Sequence, residues 1–190
     1  MKGTEVYYKI FNSLSKMSSF QSTIASQSST GNAANTLINT QKYKTLKLST
    51  GSYTPLIKTT SSDQYVYIRL TDKNASDFKS AICVCPGNQQ IDMYSEEFAL
   101  KYKDEIVYPR RNIDNIPTFN FGGDDPDLDK VPVKGDEDVE YYDTSSEEDQ
   151  GKWYVDMYAV SVGIDTTTWT SFYSEVLHLG CVTILEGEAN

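Results

Sequence analysis

Four aspartates, Asp125, Asp127, Asp129 and Asp136, stand at relative positions 1, 3, 5 and 12, the carboxylate spacing of a helix–loop–helix calcium site. The pattern breaks where such a loop is strictest. Its sixth position needs glycine for a sharp turn and holds Lys130, its twelfth needs a bidentate glutamate and holds Asp136, and Pro126 and Pro132 interrupt the flanks. What remains is a solvated acidic loop, a loop docked on a basic partner, or a looser calcium site among these carboxylates. A second set, Cys83, Cys85, His178 and Cys181, could nominally hold zinc, since alternate residues of a strand share a face. The two halves lie more than 90 residues apart and match no structural zinc spacing, so the cysteines read as small buried hydrophobes. His178 is the only histidine, and a Ser–His–acid triad would have to use it without a Gly-x-Ser-x-Gly elbow to present the serine. Neither phosphate-cradling glycine pattern is present, and nothing singles out two of the many acids for glycoside chemistry. No catalytic residue, metal ligand or cofactor is expected, and the chain reads as non-enzymatic.

Charge is the feature that stands out next. Residues 120–151 contain 12 acids and two lysines, a net charge of −10 that equals the charge of all 190 residues. Removing them from the totals of 27 acids and 17 bases leaves 15 of each, so the rest is neutral. Such a block repels itself and disfavours direct nucleic-acid binding, Arg110-Arg111 being the only adjacent basic pair. It reads as an interaction or solvation segment, or as an imitation of nucleic acid offered to a basic protein. Asp124, Asp125, Asp127, Asp129, Asp136, Glu137 and Asp138 are the candidate contacts to a partner.

The elements that would position these residues change character along the chain. Val6, Ile10, Leu14, Met17 and Ile24 fall at spacings of four, four, three and seven, which predicts an amphipathic helix through about Gln27, stopped by Gly31-Asn32. Its stripe would pack on its own domain or on another chain; Ile10, Leu14, Met17 and Ile24 are the candidates for the second role. From Tyr43 the period becomes two. Strands are expected at Lys44–Leu48, Tyr53–Thr59 (an edge, because of Pro55), Gln64–Leu70, Ala81–Cys85 and Gln89–Tyr94, with turns every 8–12 residues. Phe98, Tyr102 and Ile106 at spacing four suggest a helix, with a strand as the alternative. Lys152–Val162 is apolar on both sides and reads as a central strand, followed by a turn over Gly163–Thr168 and closing strands to Leu185. The fold expected is therefore mainly β, a sandwich or jelly-roll-like domain (42–190) with an N-terminal helical arm (1–41) and an acidic insertion (120–151).

The start at Met1-Lys-Gly-Thr-Glu has no apolar signal region, no stretch approaches the ~20 apolar residues of a membrane span, and three cysteines make no disulfide framework. Cytoplasmic synthesis and no membrane contact follow as expectations. Together with that start, the Ser/Gln-rich arm and Tyr-rich strands such as Tyr65-Val66-Tyr67-Ile68 give the whole chain a character that resembles small structural proteins of tailed bacteriophages, including the crAss-like phages. The resemblance implies a virion subunit (capsid decoration, portal-neck ring or tail hub) that forms a homo-oligomer, meets other virion proteins and carries no catalytic residues. The alternative is a freestanding sandwich module whose aromatic residues, Trp169 above all, face a glycan or peptide.

Overall fold

Val6, Tyr7, Tyr8, Ile10 and Phe11 are β-branched or aromatic, and in the computed structural model Gly3–Phe11 form a strand, β1. The structure describes residues 3–48, 57–58, 100–102, 105–107, 109–113, 132–143 and 146–185. The helix expected from Val6 thus begins later. A spacing of four is even as well as helical, so Val6 and Ile10 share a face in a strand too. Tyr7 and Phe11 on the other side are equally buried, which suits a strand covered on both faces.

After Asn12 and Ser13, α1 runs from Leu14 to Ser26. Its Met17 and Ile24 are buried with Phe20 beside them, against Tyr7, Phe11, Tyr154, Tyr158 and Val160 of the sheet. The opposite face is hydroxylic: Ser18, Ser22 and Thr23 donate to carbonyls four residues back, at 2.8–3.0 Å. Gly31, in the left-handed region at φ 67°, ends the following 3-10 turn Ser28–Thr30, in keeping with the expected stop. A short helix, α2 (Ala33–Asn35), and a π turn (Thr36–Thr40) return the chain to the sheet.

Short strands follow: β2 (Lys44–Thr45), β3 (Lys47–Leu48), β4 (Ile57–Lys58), β5 (Leu100–Tyr102), β6 (Glu105–Val107), β7 (Pro109–Arg110) and β8 (Val139–Glu140). Two long ones, β9 (Lys152–Ile164) and β10 (Ser171–Leu185), complete the order. The main sheet has six strands. β10, β9 and β1 lie side by side and antiparallel, while β4, β2 and β8 share the far edge of β1 at Gly3–Thr4, Tyr7–Tyr8 and Ile10–Phe11. β1 and β9 match without a break from Gly3 opposite Val162 to Phe11 opposite Tyr154. β3 pairs with β7 and β5 with β6 in separate ribbons, so Tyr102 and Ile106 lie on strands and the helix suggested by their spacing does not form. The central strand expected at Lys152–Val162 is present and buried on both faces. The fold is mixed, an N-terminal helical region on an open multi-stranded sheet. Expected strands Gln64–Leu70, Ala81–Cys85 and Gln89–Tyr94 lie outside the described residues.

The N-terminus of α1 is tied down from a distance. Ser13 makes no side-chain cap; the Leu14 N–H donates instead to Asp149 Oδ1 at 3.2 Å, and the same oxygen accepts from the Tyr154 hydroxyl at 2.9 Å. Burial acts to raise the Asp149 pKa, but the hydrogen bonds from Leu14, Tyr154, Ser146 and Ser13 outweigh it and hold the carboxyl below its usual range. Burial and the same contact push Tyr154 up to about 12. A carboxylate lowered on folding stabilises the native state above its unfolded pKa, and that contribution fades as pH falls through the lower folded value. Asp149→Asn is therefore expected to lose about 1–2 kcal/mol at neutral pH. The gap to the unmodified chain should narrow below about pH 4, as urea melts at a series of pH values would show.

Candidate functional site

Asp156 is an acid within an apolar strand, and it is fully buried. Its partners come from three separate elements. Tyr43, ahead of β2, donates its hydroxyl to Oδ2 at 2.7 Å; Gln21 of α1 donates an amide hydrogen to Oδ1 at 2.9 Å; His178 of β10 places Nε2 2.7 Å from Oδ1. The Tyr43 and Tyr158 hydroxyls are both raised well above their usual range, by burial first and then by the Asp156 charge. Gln21 Nε2 and His178 Nε2 approach to 3.4 Å. Because an ionised carboxylate only accepts, both nitrogens are donors to Asp156 and that approach is a contact. In the neutral ring this bond places the proton on Nε2 and leaves Nδ1 as a lone-pair acceptor. The ring also stacks on Tyr158, centroids 4.6 Å apart at 32°. Beside it lies a cleft of about 310 Å³ between α1 and β10, into whose wall His178 enters with 42% of its side chain exposed.

The hairpin of β9 and β10 presents the second feature. Asp165 N–H donates to the Thr170 carbonyl at 2.9 Å and Trp169 N–H to the Asp165 carbonyl at 2.8 Å, closing the turn. The Asp165 carboxylate accepts from Thr167 and Thr168 N–H, which hold it below its usual range. Trp169 sits within this turn at φ 58°, a conformation costing a non-glycine residue roughly 1–2 kcal/mol, and is 77% exposed. Phe172 and Leu177, 54% and 63% exposed, face Gly163 and Ala159 of β9 and so share the side of the sheet away from α1. The Phe172 ring lies over Gly163, where a Cβ would fall 2.1 Å from its Cζ and push the ring aside. Residues 157–174 carry one charged side chain, Asp165. In a chain of net charge −10 this hairpin is a nearly uncharged aromatic surface.

Part of the acidic segment turns inward. Asp138 and Arg111 are both fully buried; Nε and Nη2 of Arg111 donate to the two carboxylate oxygens of Asp138 at 2.8 and 2.6 Å, a bidentate pair. Tyr8 also donates to Asp138 at 2.7 Å, and Asp136 accepts from Arg111 at 3.0 Å and from Val133 N–H at 3.1 Å. Burial opposes the Arg111 charge, but the bonds and charges of Asp138 and then Asp136 hold its pKa above the usual range. Exposed Glu137 pairs with Lys44 at 2.6 Å. Asp136 and Asp138, expected to face a partner or calcium, thus hold the chain's own arginine. Their neighbours Asp124, Asp125, Asp127 and Asp129 lie outside the described residues, as do Cys83 and Cys85. Cys181 packs at the margin of the core. Among the described residues no group of three or more His, Cys, Asp or Glu side chains could hold a metal ion, and no helix is long and apolar enough to cross a membrane.

Of the helical stripe proposed for partner contact, Ile10, Met17 and Ile24 are buried within the chain, Ile10 as part of β1. Met17 and Ile24 pack on the chain's own sheet. Leu14 alone stays 38% exposed. Sequence reasoning missed Asp156, Tyr43 and Gln21, although a lone acid inside the apolar run Trp153–Val162 was a readable sign of a buried partner. No protein-family model matches the chain, and comparison with curated proteins and with solved structures found no match.

Proposed function

We propose that the chain is a non-enzymatic subunit of a symmetric assembly and that copies meet through the β9–β10 hairpin. The observation that carries this reading is Trp169, exposed on a hydrogen-bonded turn in a conformation that costs free energy, beside exposed Phe172 and Leu177. Rigid exposed aromatics are the side chains that dominate protein interfaces, and strain at an exposed turn marks a constraint other than folding. A second copy is the occupant because these molecules repel one another everywhere their acids face out and least at this surface. The same reading takes the open sheet as one layer of a sandwich or jelly roll, and the assembly as a phage virion made in the host cytoplasm. The virion placement stands on the resemblance of the sequence.

Light scattering across the micromolar range is expected to show an oligomer for the natural chain. A folded monomer is expected for the triple variant Trp169→Ser, Phe172→Ser, Leu177→Ser. A natural chain that stays monomeric would sink self-assembly. It would also favour the freestanding module for glycan or peptide, which an exposed Trp169 serves equally well.

A further inference from the structure

Among the described residues, the wall of the cleft between α1 and β10 carries no Asp, Glu, Lys or Arg. Gln21, Ser22 and Ser28 supply amide and hydroxyl groups, Val176 supplies apolar surface beside buried Ile24, and His178 supplies a ring stacked on buried Tyr158. Asp156, bound to His178, is wholly buried and already accepts from three donors, so it offers little to a cation. An anion would find no Lys or Arg among the described lining residues. What the wall does offer is a hydrogen-bond acceptor held in place. His178 Nε2 is bound to Asp156, and Nδ1 has no hydrogen-bond partner among the described residues.

We infer that this cleft binds a neutral polyhydroxylated ligand, a single sugar ring, with His178 Nδ1 accepting a ligand hydroxyl. Asp156 is a positioning residue in this site. It sets which ring nitrogen carries the proton, while Tyr43 and Gln21 hold its carboxylate still. The apolar face of a pyranose fits against Val176, its hydroxyl rim against Ser22, Ser28 and Gln21. A volume of about 310 Å³ lies at the lower limit for small-molecule pockets and suits one ring better than a chain of them. The site is separate from the exposed hairpin surface, so its presence does not depend on how copies assemble.

One histidine gives one set of imidazole signals, which makes the test direct. Long-range ¹H–¹⁵N spectra of the full chain would be recorded while glucose, galactose and N-acetylglucosamine are each titrated to about 50 mM, a range that captures millimolar affinities near −4 kcal/mol. The free protein is expected to show the Nε2–H tautomer. At least one sugar should move Nδ1 saturably, and Ala25→Phe, which places a ring in the cleft from an exposed position, should weaken that binding at least tenfold. Asp156→Asn should change the tautomer mixture and weaken binding too, a readout that a purely structural role for Asp156 would not move. Inorganic phosphate is the control. Ring signals unmoved by every neutral sugar, or moved by phosphate at lower concentration than by any sugar, would overturn the inference.

Discussion

Asp138→Ala is expected to lose about 3–5 kcal/mol of stability, roughly 6–20 °C in Tm for a chain of this size. The Arg111 guanidinium is completely buried, and Asp138 supplies two of its three described acceptor contacts. Without that carboxylate the arginine keeps its charge in a site water does not reach, and the Tyr8 hydroxyl loses its acceptor as well. The penalty comes from removing the bidentate partner of a buried charge, which keeps Asp136 at 3.0 Å, rather than from any great net strength of the pair. Replacing both partners with apolar residues, Arg111→Met with Asp138→Leu, should therefore recover most of the loss. Thermal melts of the two singles and the double variant check this. If Asp138→Ala melts within a degree or two of the natural chain, Asp138 faces solvent, and a partner-docking role for Asp136–Asp138 returns.

Deleting residues 1–12 is expected to abolish folding. β1 pairs with nine of the 13 residues of β9 along one edge and gives its other edge to β2, β4 and β8. Phe11, Tyr7 and Tyr8 are buried along with it. A detachable arm would leave a folded, merely unassembled remainder; a central strand leaves a sheet with its middle missing. Phe11→Ala is the milder version and should cost about 3–5 kcal/mol. Circular dichroism and dispersion of amide resonances separate the cases, and a folded truncated chain would contradict the description of β1.

The legible parts of this fold are those in which neighbours in sequence decide the outcome. Lys152–Val162 was readable as a central strand because both its faces are apolar, and the stop at Gly31 because glycine takes the left-handed conformation cheaply. The first element was misread because a period of four is compatible with a strand. The burial of Tyr7 that settles it depends on Tyr158, more than 150 residues away. The acidic segment was read as an interaction or solvation segment for the same reason. Arg111 precedes Asp138 by 27 residues, and no local pattern shows that carboxylates in an acidic run turn inward onto one buried guanidinium. His178, as the only histidine, was conspicuous, yet its meaning lay in Asp156, Tyr43 and Gln21, brought together from three distant elements. The Trp169 surface was half visible: residue type suggested an interface, and only the turn geometry shows the indole exposed and strained.

The measurement that bears most directly on assembly through the hairpin is the fluorescence of Trp169 as a function of protein concentration. Of the two tryptophans, Trp153 is buried, so a Trp153→Phe chain reports from Trp169 alone. The account predicts a solvated indole, open to acrylamide quenching, in dilute protein. Its emission should shift to the blue and its quenching should fall over the concentration range in which scattering shows oligomers forming. Oligomers that form while Trp169 stays equally quenchable would place the interface elsewhere and contradict the assignment of this hairpin.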